Sequence, residues 1–407
     1  MNRLVLIGNG FDLAHGLKTS YKDFIYWYWK QRVLNLRDFK EKTSDDGLCK
    51  FSILNFETWY SFFYYNPIDS SILEDKDFFE VTKNKEEFGI EYSPLFERIH
   101  KSIETKGWVD IENDYYELLK ECLNDNAPEE EIVALHSELQ LLQEKLVEYL
   151  TSINVSDELL NAGIRPKIYE PFKRADISIS GQQALNEHIK AGLELSDNEW
   201  EWKGKLRQYG SNCNSKWTIE KYQKNFNKIN PYKETEEPDE LMLPNKIMLL
   251  TFNYTHTAEL YCKKEDIFTV NHIHGDLDIP ASVIFGYGDE LDEDFKTLLK
   301  RNNNKYLSNI KSIKYLEADS YRKMLSFIES EPYQILIMGH SCGNSDRTLL
   351  NTLFEHKNCV SIKPYYYQID KDKDNYIDLV QNISRNFTDM KLMRDRVVNK
   401  TSCVPLT

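Results

Sequence analysis

MNRLVLIGNGFDLAHGLKTSYKDF (residues 1–24) couples a short apolar run to a loop that contains three glycines. Residues 3–7 (RLVLI) are apolar apart from Arg3, include two β-branched side chains and are followed by a glycine, which predicts a buried parallel strand. From Gly8 to Gly16 the loop reads GxGxDxxxG, and glycines allow a backbone to approach a phosphate closely ahead of a helix N-terminus. A plain tight turn fits equally well, because Leu13 stands where the dinucleotide fingerprint GxGxxG has its third glycine.

Composition predicts a folded, acidic protein with reduced cysteines. The chain has 407 residues, of which 41% are hydrophobic and 13% aromatic, so a substantial core can form. The formal net charge of −15 argues against nucleic acid as a partner. Seven cysteines without a CxxC pair predict free thiols rather than zinc sites or disulfides. No apolar run reaches the ~18 residues of a membrane span and no signal peptide is evident, so we expect a cytoplasmic protein with no membrane partner.

Runs that resemble the first strand return only after residue 245. Five such runs follow, with helical stretches between several of them, over residues 246–253, 268–275, 282–288, 334–340 and 359–367. This alternation predicts an α/β fold with a Rossmann-like, doubly wound parallel sheet that the first strand joins. The predicted domains are a discontinuous nucleotide-binding core (1–30 plus 246–375), a mainly helical insertion (31–245) and a C-terminal helical tail (376–407).

Four of the predicted strands end in small or polar residues. The carboxyl ends of parallel strands lie along one edge of the sheet, where ligands of α/β proteins bind. The four ends are Gly8–Gly16, Asn253–Tyr254, His274–Gly275 with Asp276, and Gly339–Ser341 with Asp346. We therefore expect these groups to form one site, although more than 200 residues separate the first end from the second.

Asparagine and histidine at these ends suggest acid–base chemistry. His274 can act as a general base near neutral pH, and the Asn253 amide can hold a hydroxyl or a water. His256, His272 and His274 also fit a metal site or buried structural histidines, and residues 272 and 274 would share one face of a strand. We predict no metal, because no carboxylate-rich motif such as HExxH accompanies them. The segment 339–343 (GHSCG) also fits the nucleophile elbow GxSxG, but the sequence gives no other sign of a catalytic triad.

Five stretches of the chain resemble one family. LIGNGFDLAHGLKTSYKDF, WVDIE, LTFNYT, HIHG and GHSCGNSD together resemble the AbiH family of bacterial abortive-infection proteins. The resemblance extends over most of the chain, and it implies a role in antiviral defence against bacteriophage.

A more distant resemblance is to the sirtuin-like NAD-binding fold. The first loop is similar to the sirtuin loop GAGxSxxxGIPDF, and TFNYT and HIHG are similar to its TQNID and HG segments. This resemblance implies that the first loop holds a pyrophosphate and the GHS segment holds the adenosine side. We predict that NAD is bound by residues of the matching loops and their polar neighbours, namely Gly8, Asn9, Gly10, Phe11, His15, Gly16, Gly275, Gly339, His340, Ser341 and Asp346. The resemblance implies His274 as general base and Asn253 as the group that orients ribose or water, and we further predict that Asp12 supplies a stabilising carboxylate.

Departures from the sirtuin pattern narrow the implied activity. Asn9 and Asp12 stand where sirtuins have alanine and serine, and the zinc-binding CxxC pairs of protein deacylases are absent. The resemblance thus implies a NAD glycohydrolase that cleaves the nicotinamide–ribose bond and depletes NAD on infection. NAD is then the substrate, and no cofactor is required.

Two other functions stay open at this point. A nuclease or phosphohydrolase toxin would use a polar cluster of Asp12, His15, His274, His340 and Asp346. A non-catalytic sensor would bind NAD or a related nucleotide and pass the signal to a toxic partner. Self-association, a phage-derived trigger and a partner protein also stay open, with the helical insertion as a candidate interaction surface.

Overall fold

A computed structural model describes residues 1–39, 42–55, 74–124, 127–209, 237–262 and 267–407. Its strands, numbered in chain order, are β1 (Asn2–Ile7), β2 (Thr43–Asp45), β3 (Cys49–Ile53), β4 (Phe88–Tyr92), β5 (Ile247–Thr251), β6 (Phe268–His272), β7 (Tyr333–Met338) and β8 (Cys359–Tyr365). The chain divides into two compact units, of which the first is Met1–Gly16, Val155–Val283 and Tyr315–Thr407, and the second is Leu17–Asn154 and Ile284–Lys314. These bounds differ from the predicted domain boundaries, which stay a prediction.

The first unit contains a five-stranded parallel sheet. Its strands lie in the order β6-β5-β1-β7-β8, and every pairing is parallel. Ranked by their order along the chain, these five strands follow the 3-2-1-4-5 arrangement of doubly wound sheets, with the switch point between β1 and β7. The predicted mixed α/β fold with a central parallel sheet is confirmed, and the first residues do join strands that lie after residue 245.

Burial on both faces explains the continuous apolar run of β1. Val5 lies opposite Leu249 of β5 and Leu336 of β7, and all three side chains belong to one buried core. The neighbouring position, Leu6, is equally buried on the alternate face. The helices of this unit are Asn9–Ala14, Arg165–Tyr169, Gln182–Ser196, Glu199–Gln208, Ser320–Ser330, Arg347–Glu355, Tyr376–Arg385 and Met390–Arg396.

The predicted strand over residues 282–288 is wrong. A 3₁₀ helix occupies Pro280–Ser282, and an isolated bridge at Tyr287 is the only pairing within this run among the described residues. Ile284 and Phe285 are buried, so the apolar run reflects burial of an irregular segment rather than a place in the sheet. Periodicity alone does not separate these two cases.

The second unit is mainly helical, with the small antiparallel sheet β2-β3-β4. Its helices are Tyr21–Phe39, Asp75–Val81, Pro94–Lys106, Ile111–Asn124, Glu129–Thr151, Glu293–Lys300 and Lys311–Lys314. The predicted N-cap of the first of these helices is present, since the Asp23 N–H donates to Ser20 Oγ at 3.1 Å. Trp29 packs against Phe51 and Phe96 in its core. Across both units, the helices that the structure describes include none with the length and apolar character to cross a bilayer.

Candidate functional site

The loops that follow β1 and β7 contact each other through their backbones. The Gly10 N–H donates to the Gly339 carbonyl at 2.8 Å, and the Gly8 N–H donates to Met338 O at 3.3 Å. A Cβ atom on Gly10 would lie 2.8 Å from the Gly339 oxygen, and one on Gly339 would lie 2.0 Å from the Phe11 nitrogen. These glycines therefore have a packing reason that is independent of any ligand. Their role in holding a pyrophosphate stays a prediction, and the Gly10 and Phe11 amides already have protein acceptors.

Asp12 and Asn253 are buried and connect the ends of β1 and β5. The Asn253 amide nitrogen donates to Gly8 O at 3.1 Å, and the Thr255 hydroxyl donates to Asp12 Oδ2 at 2.6 Å. Burial raises the pKa of Asp12, and the hydrogen bond from Thr255 only partly opposes that rise. Both side chains thus have structural partners, and no observation tests their predicted catalytic roles.

His15 lies at the end of the short helix Asn9–Ala14 and contacts protein groups through both ring nitrogens. Nδ1 donates to Phe11 O at 2.6 Å, and Nε2 lies 2.5 Å from the Tyr261 hydroxyl. The adjacent Gly16 has φ 77° with open space where a Cβ would stand, so it serves a left-handed turn. In the described structure no hydrogen bond joins His15 to the other histidines of the predicted site.

The loops after β6 and β7 bring two histidines to one carboxylate. His274 Nε2 lies 3.3 Å from Asp346 Oδ1, and His340 Nε2 lies 3.6 Å from Asp346 Oδ2. The Tyr315 hydroxyl lies 3.2 Å from His274 Nε2. All three members of this group, which we call the His–Asp–His cluster (His274, Asp346 and His340), are buried. The structure therefore brings together three of the five residues of the predicted polar cluster.

Backbone contacts fix the tautomer of His340. The Cys342 N–H donates to His340 Nδ1 at 3.0 Å, so the neutral ring carries its proton on Nε2, which faces Asp346. Cys342 adopts a left-handed conformation with φ 55°, which is uncommon for a residue with a side chain and is often found at functional sites. The Phe252 ring lies 4.1 Å from the His340 ring and 5.2 Å from the His274 ring, centroid to centroid. The cluster is thus shielded on one side by an aromatic side chain.

The other predicted binding residues differ in their surroundings. Gly275 has φ 79°, and a Cβ there would lie 2.1 Å from Ser282 O, so backbone geometry requires glycine. Asn9 and Ser341 are exposed. No hydrogen bond between Ser341 and a histidine occurs in the part of the chain that the structure describes. The nucleophile-elbow interpretation therefore lacks its serine–histidine contact.

A second polar group consists of His256, Glu259 and His272. His272 Nε2 lies 2.6 Å from Glu259 Oε1, and His256 Nδ1 lies 3.5 Å from the same oxygen. Burial disfavours the charged ring of His272, but the hydrogen bond and charge of Glu259 outweigh it and raise the pKa of His272. Because β6 ends at His272, strand alternation does not extend to His274, and the two rings have different partners.

Three neighbours of the predicted residues were not found from the sequence. Phe252 directly precedes Asn253, and this position was the one feature of the sequence that could have indicated a place at the site. Glu259 stands three residues after His256, a spacing that places both side chains on one side of a short helix. Tyr315 begins the 3₁₀ helix Tyr315–Glu317, far from any strand end, so no sequence pattern connects it to His274.

Comparison with known proteins identifies a family for this chain. No curated protein matches the chain, and no solved structure matches it. The likeness to sirtuins therefore stays a prediction. The family model described as "Bacteriophage abortive infection AbiH" matches residues 4–368, which include the loops after β1, β5, β6 and β7. The chain belongs to the AbiH family of bacteriophage abortive infection proteins.

Proposed function

We propose that the protein acts in abortive infection as a NAD glycohydrolase with the His–Asp–His cluster as its catalytic centre. Membership in the AbiH family supports the role in defence against bacteriophage. The observation that carries the catalytic proposal is the 3.3 Å separation between His274 Nε2 and Asp346 Oδ1 at the carboxyl edge of the sheet. Ligands of doubly wound proteins bind at this edge, close to the switch point between β1 and β7.

Hydrolysis of NAD breaks the nicotinamide–ribose bond, adds water to the ribose carbon and releases nicotinamide, ADP-ribose and one proton. A carboxylate beside one nitrogen of an imidazole orients the ring and stabilises its protonated form. With Nε2 directed at Asp346, Nδ1 of His274 is the nitrogen that would take a proton from water or from a ribose hydroxyl. Tyr315 contacts the same Nε2 and helps to fix the ring.

Asp346 suits this chemistry better than Asp12, the carboxylate predicted from the sequence. Asp12 accepts a hydrogen bond from Thr255 at 2.6 Å, whereas Asp346 contacts both histidines of the cluster. We therefore propose Asp346, rather than Asp12, as the negative charge that stabilises an oxocarbenium-like transition state. Asp12 then has the structural role of joining two strand ends.

A second candidate function is hydrolysis of a phosphoester by a nuclease or phosphohydrolase. The observation that favours it is the pair of imidazoles on one carboxylate, because His274 can supply a general base while the Nε2–H of His340 can donate to a phosphate oxygen. In that case NAD would stay intact, and the scissile bond would lie in a nucleic acid or a nucleotide. The third alternative, a non-catalytic sensor, would bind nucleotide without turnover.

The test measures NAD in bacteria that express the protein, before infection and at intervals after infection with phage. Infection supplies whatever trigger a defence protein needs, so a silent resting state does not obscure the result. We expect NAD to fall after infection with the wild type and to stay level with His274→Ala or Asp346→Asn. Loss of a general base lowers the rate by about 10²–10⁴-fold. His356→Gln is the matched control, since His356 pairs with Glu329 at 3.2 Å outside the cluster.

The same lysates distinguish the alternatives. Nicotinamide and ADP-ribose that accumulate together, and only with an intact cluster, support the glycohydrolase. Degraded RNA or DNA with unchanged NAD, again dependent on His274, would replace it with the phosphoester hydrolase. Protection from phage that persists in His274→Ala would overturn both catalytic proposals and favour the sensor.

A further inference from the structure

We propose that His256, Glu259 and His272 form a binding site for a divalent transition metal, with Zn²⁺ as the ion to test. The sequence predicted no metal, because no carboxylate-rich motif such as HExxH accompanies the histidines at 256, 272 and 274. The site lies in the first unit, and it is independent of the glycohydrolase proposal, since none of the three residues belongs to the His–Asp–His cluster.

The local fold supplies the three ligands from two elements. His256 and Glu259 lie on the 3₁₀ helix His256–Tyr261, where residues three positions apart project on the same side. His272 is the last residue of β6. One ligand atom from each of the three residues can be chosen such that all lie within 4.8 Å of one another.

The donor set is one that zinc uses. Two histidines and one glutamate bind zinc in catalytic centres that keep a further position for water. Bond lengths of about 2.1 Å place two ligands of a tetrahedral zinc about 3.4 Å apart. His256 Nδ1 and Glu259 Oε1 are 3.5 Å apart, which matches that separation. The two imidazole nitrogens favour zinc and neighbouring transition metals over calcium or magnesium.

The shorter contact shows what the metal would replace. His272 Nε2 and Glu259 Oε1 lie 2.6 Å apart, the distance of a hydrogen bond with one shared proton. Metal binding would displace that proton and separate the two atoms by a small side-chain rotation. The other nitrogen of His272, Nδ1, lies 3.3 Å from Asn253 O, and a carbonyl at that position is the usual outer partner of a metal-bound histidine.

A second feature of Glu259 also favours a metal, because one of its carboxylate oxygens accepts no hydrogen bond from the described residues. Glu259 Oε2 is shielded from solvent and accepts no hydrogen bond of standard geometry among the described residues. The His256 and Glu259 side chains as a whole are 36% and 38% exposed. An ion can therefore reach the site from solvent, and a water can complete its coordination.

The test is zinc binding to tag-free, chelator-treated full-length protein, measured by equilibrium dialysis and metal analysis. We expect one bound zinc per chain and a Kd at least about tenfold weaker in His256→Ala, Glu259→Gln and His272→Asn. His256→Ala carries the test if His272→Asn fails to fold, because His256 is half-exposed. The matched control is His356→Gln, which removes a His–Glu pair that has no third ligand in the described structure. Visible absorption of bound Co²⁺ should show tetrahedral coordination in the wild type and lose it in the same three variants.

Asp278 allows a sharper comparison, because its carboxylate lies 3.5 Å from the other nitrogen of His256. We expect Asp278→Asn to keep the zinc affinity within about twofold, since Nδ1 rather than Nε2 of His256 faces Glu259. Wild-type protein without bound zinc would overturn the proposal. So would binding that His272→Asn leaves unchanged and Asp278→Asn abolishes, because the ion would then occupy a different group.

Discussion

The contact between the loops after β1 and β7 predicts three different outcomes for three glycine-to-alanine substitutions. Gly16→Ala tests backbone conformation alone, because its φ is 77° and a Cβ would meet open space. Gly10→Ala tests close approach alone, because this helical residue would place its Cβ 2.8 Å from the Gly339 oxygen. Gly339→Ala combines both effects, with φ 74° and a Cβ only 2.0 Å from the Phe11 nitrogen.

The expected magnitudes follow from these differences. A left-handed conformation costs a residue with a Cβ about 1–2 kcal/mol, which is the full effect expected for Gly16→Ala. Overpacking adds about 1–3 kcal/mol, and loss of the Gly10–Gly339 hydrogen bond adds about 1 kcal/mol. We therefore expect Gly339→Ala to lower the free energy of unfolding by about 3–6 kcal/mol. Gly10→Ala provides a test of sign, since alanine normally stabilises a helical position by about 0.5–1 kcal/mol.

Urea unfolding followed by far-UV circular dichroism measures the three effects. The midpoint should fall slightly for Gly16→Ala, clearly for Gly10→Ala and most for Gly339→Ala. The double variant Gly10→Ala/Gly339→Ala should lose less unfolding free energy than the sum of the two single variants, because both substitutions disrupt the same backbone contact. A Gly10→Ala protein as stable as the wild type, or more stable, would refute the backbone contact as the reason for these glycines.

Two further predictions concern buried charges. Burial raises the pKa of Asp12 above its ordinary value of 3.8, so above that pH the carboxyl binds more protons in the folded protein than in the unfolded chain. The folded protein therefore loses stability as the pH rises through the raised pKa. In urea titrations between pH 4 and 7, the stability of Asp12→Asn relative to the wild type should therefore increase with pH. If the unfolding free energies of the two proteins changed in parallel with pH, Asp12 would not be a buried carboxyl that ionises in this range. Lys363 lies 2.7 Å from Glu170 and 2.9 Å from Asp176. Lys363 and Asp176 are buried. Lys363→Met should cost about 3–5 kcal/mol because it leaves two carboxylates without their cation, and a urea midpoint close to the wild-type value would show that these carboxylates find other partners.

The fold could be predicted where burial and periodicity agree. β1 and β7 are buried along their lengths, and each ends in an uninterrupted apolar run, residues 4–7 in β1 and 335–338 in β7. Residues 282–288 carry the same signal, yet they form no strand, because an irregular segment that is buried selects the same side chains. The distinction depends on which partner lies beside the segment, and sequence periodicity does not contain that information.

The sequence was sufficient to predict which loops come together at the site, but not which side-chain atoms contact one another. His274, Asp346 and His340 come together because the ends of parallel strands must share an edge. The orientation of each ring depends on loop details, such as the end of β6 at His272, that no spacing rule specifies. Tyr315 illustrates the limit, because it contacts His274 from a segment without any motif.

The glycine loop that opens the chain constrains where a ligand can bind. In dinucleotide-binding sheets the amides after the first strand are directed at a pyrophosphate. In this protein the Gly10 and Phe11 amides donate to Gly339 O and Gly8 O, so a phosphate at that point would have to compete with existing hydrogen bonds. The Asn253 amide nitrogen donates to Gly8 as well, which uses a third donor at the same edge. The glycohydrolase proposal therefore assigns contact with the nucleotide to His274 and His340, whose loops follow the strands on either side of β5 and β1, rather than to the amides of the opening loop. Because that proposal depends on the carboxylate that His274 and His340 share, we expect mutations of Asp346 to impair NAD hydrolysis more than fold-preserving mutations of the opening loop.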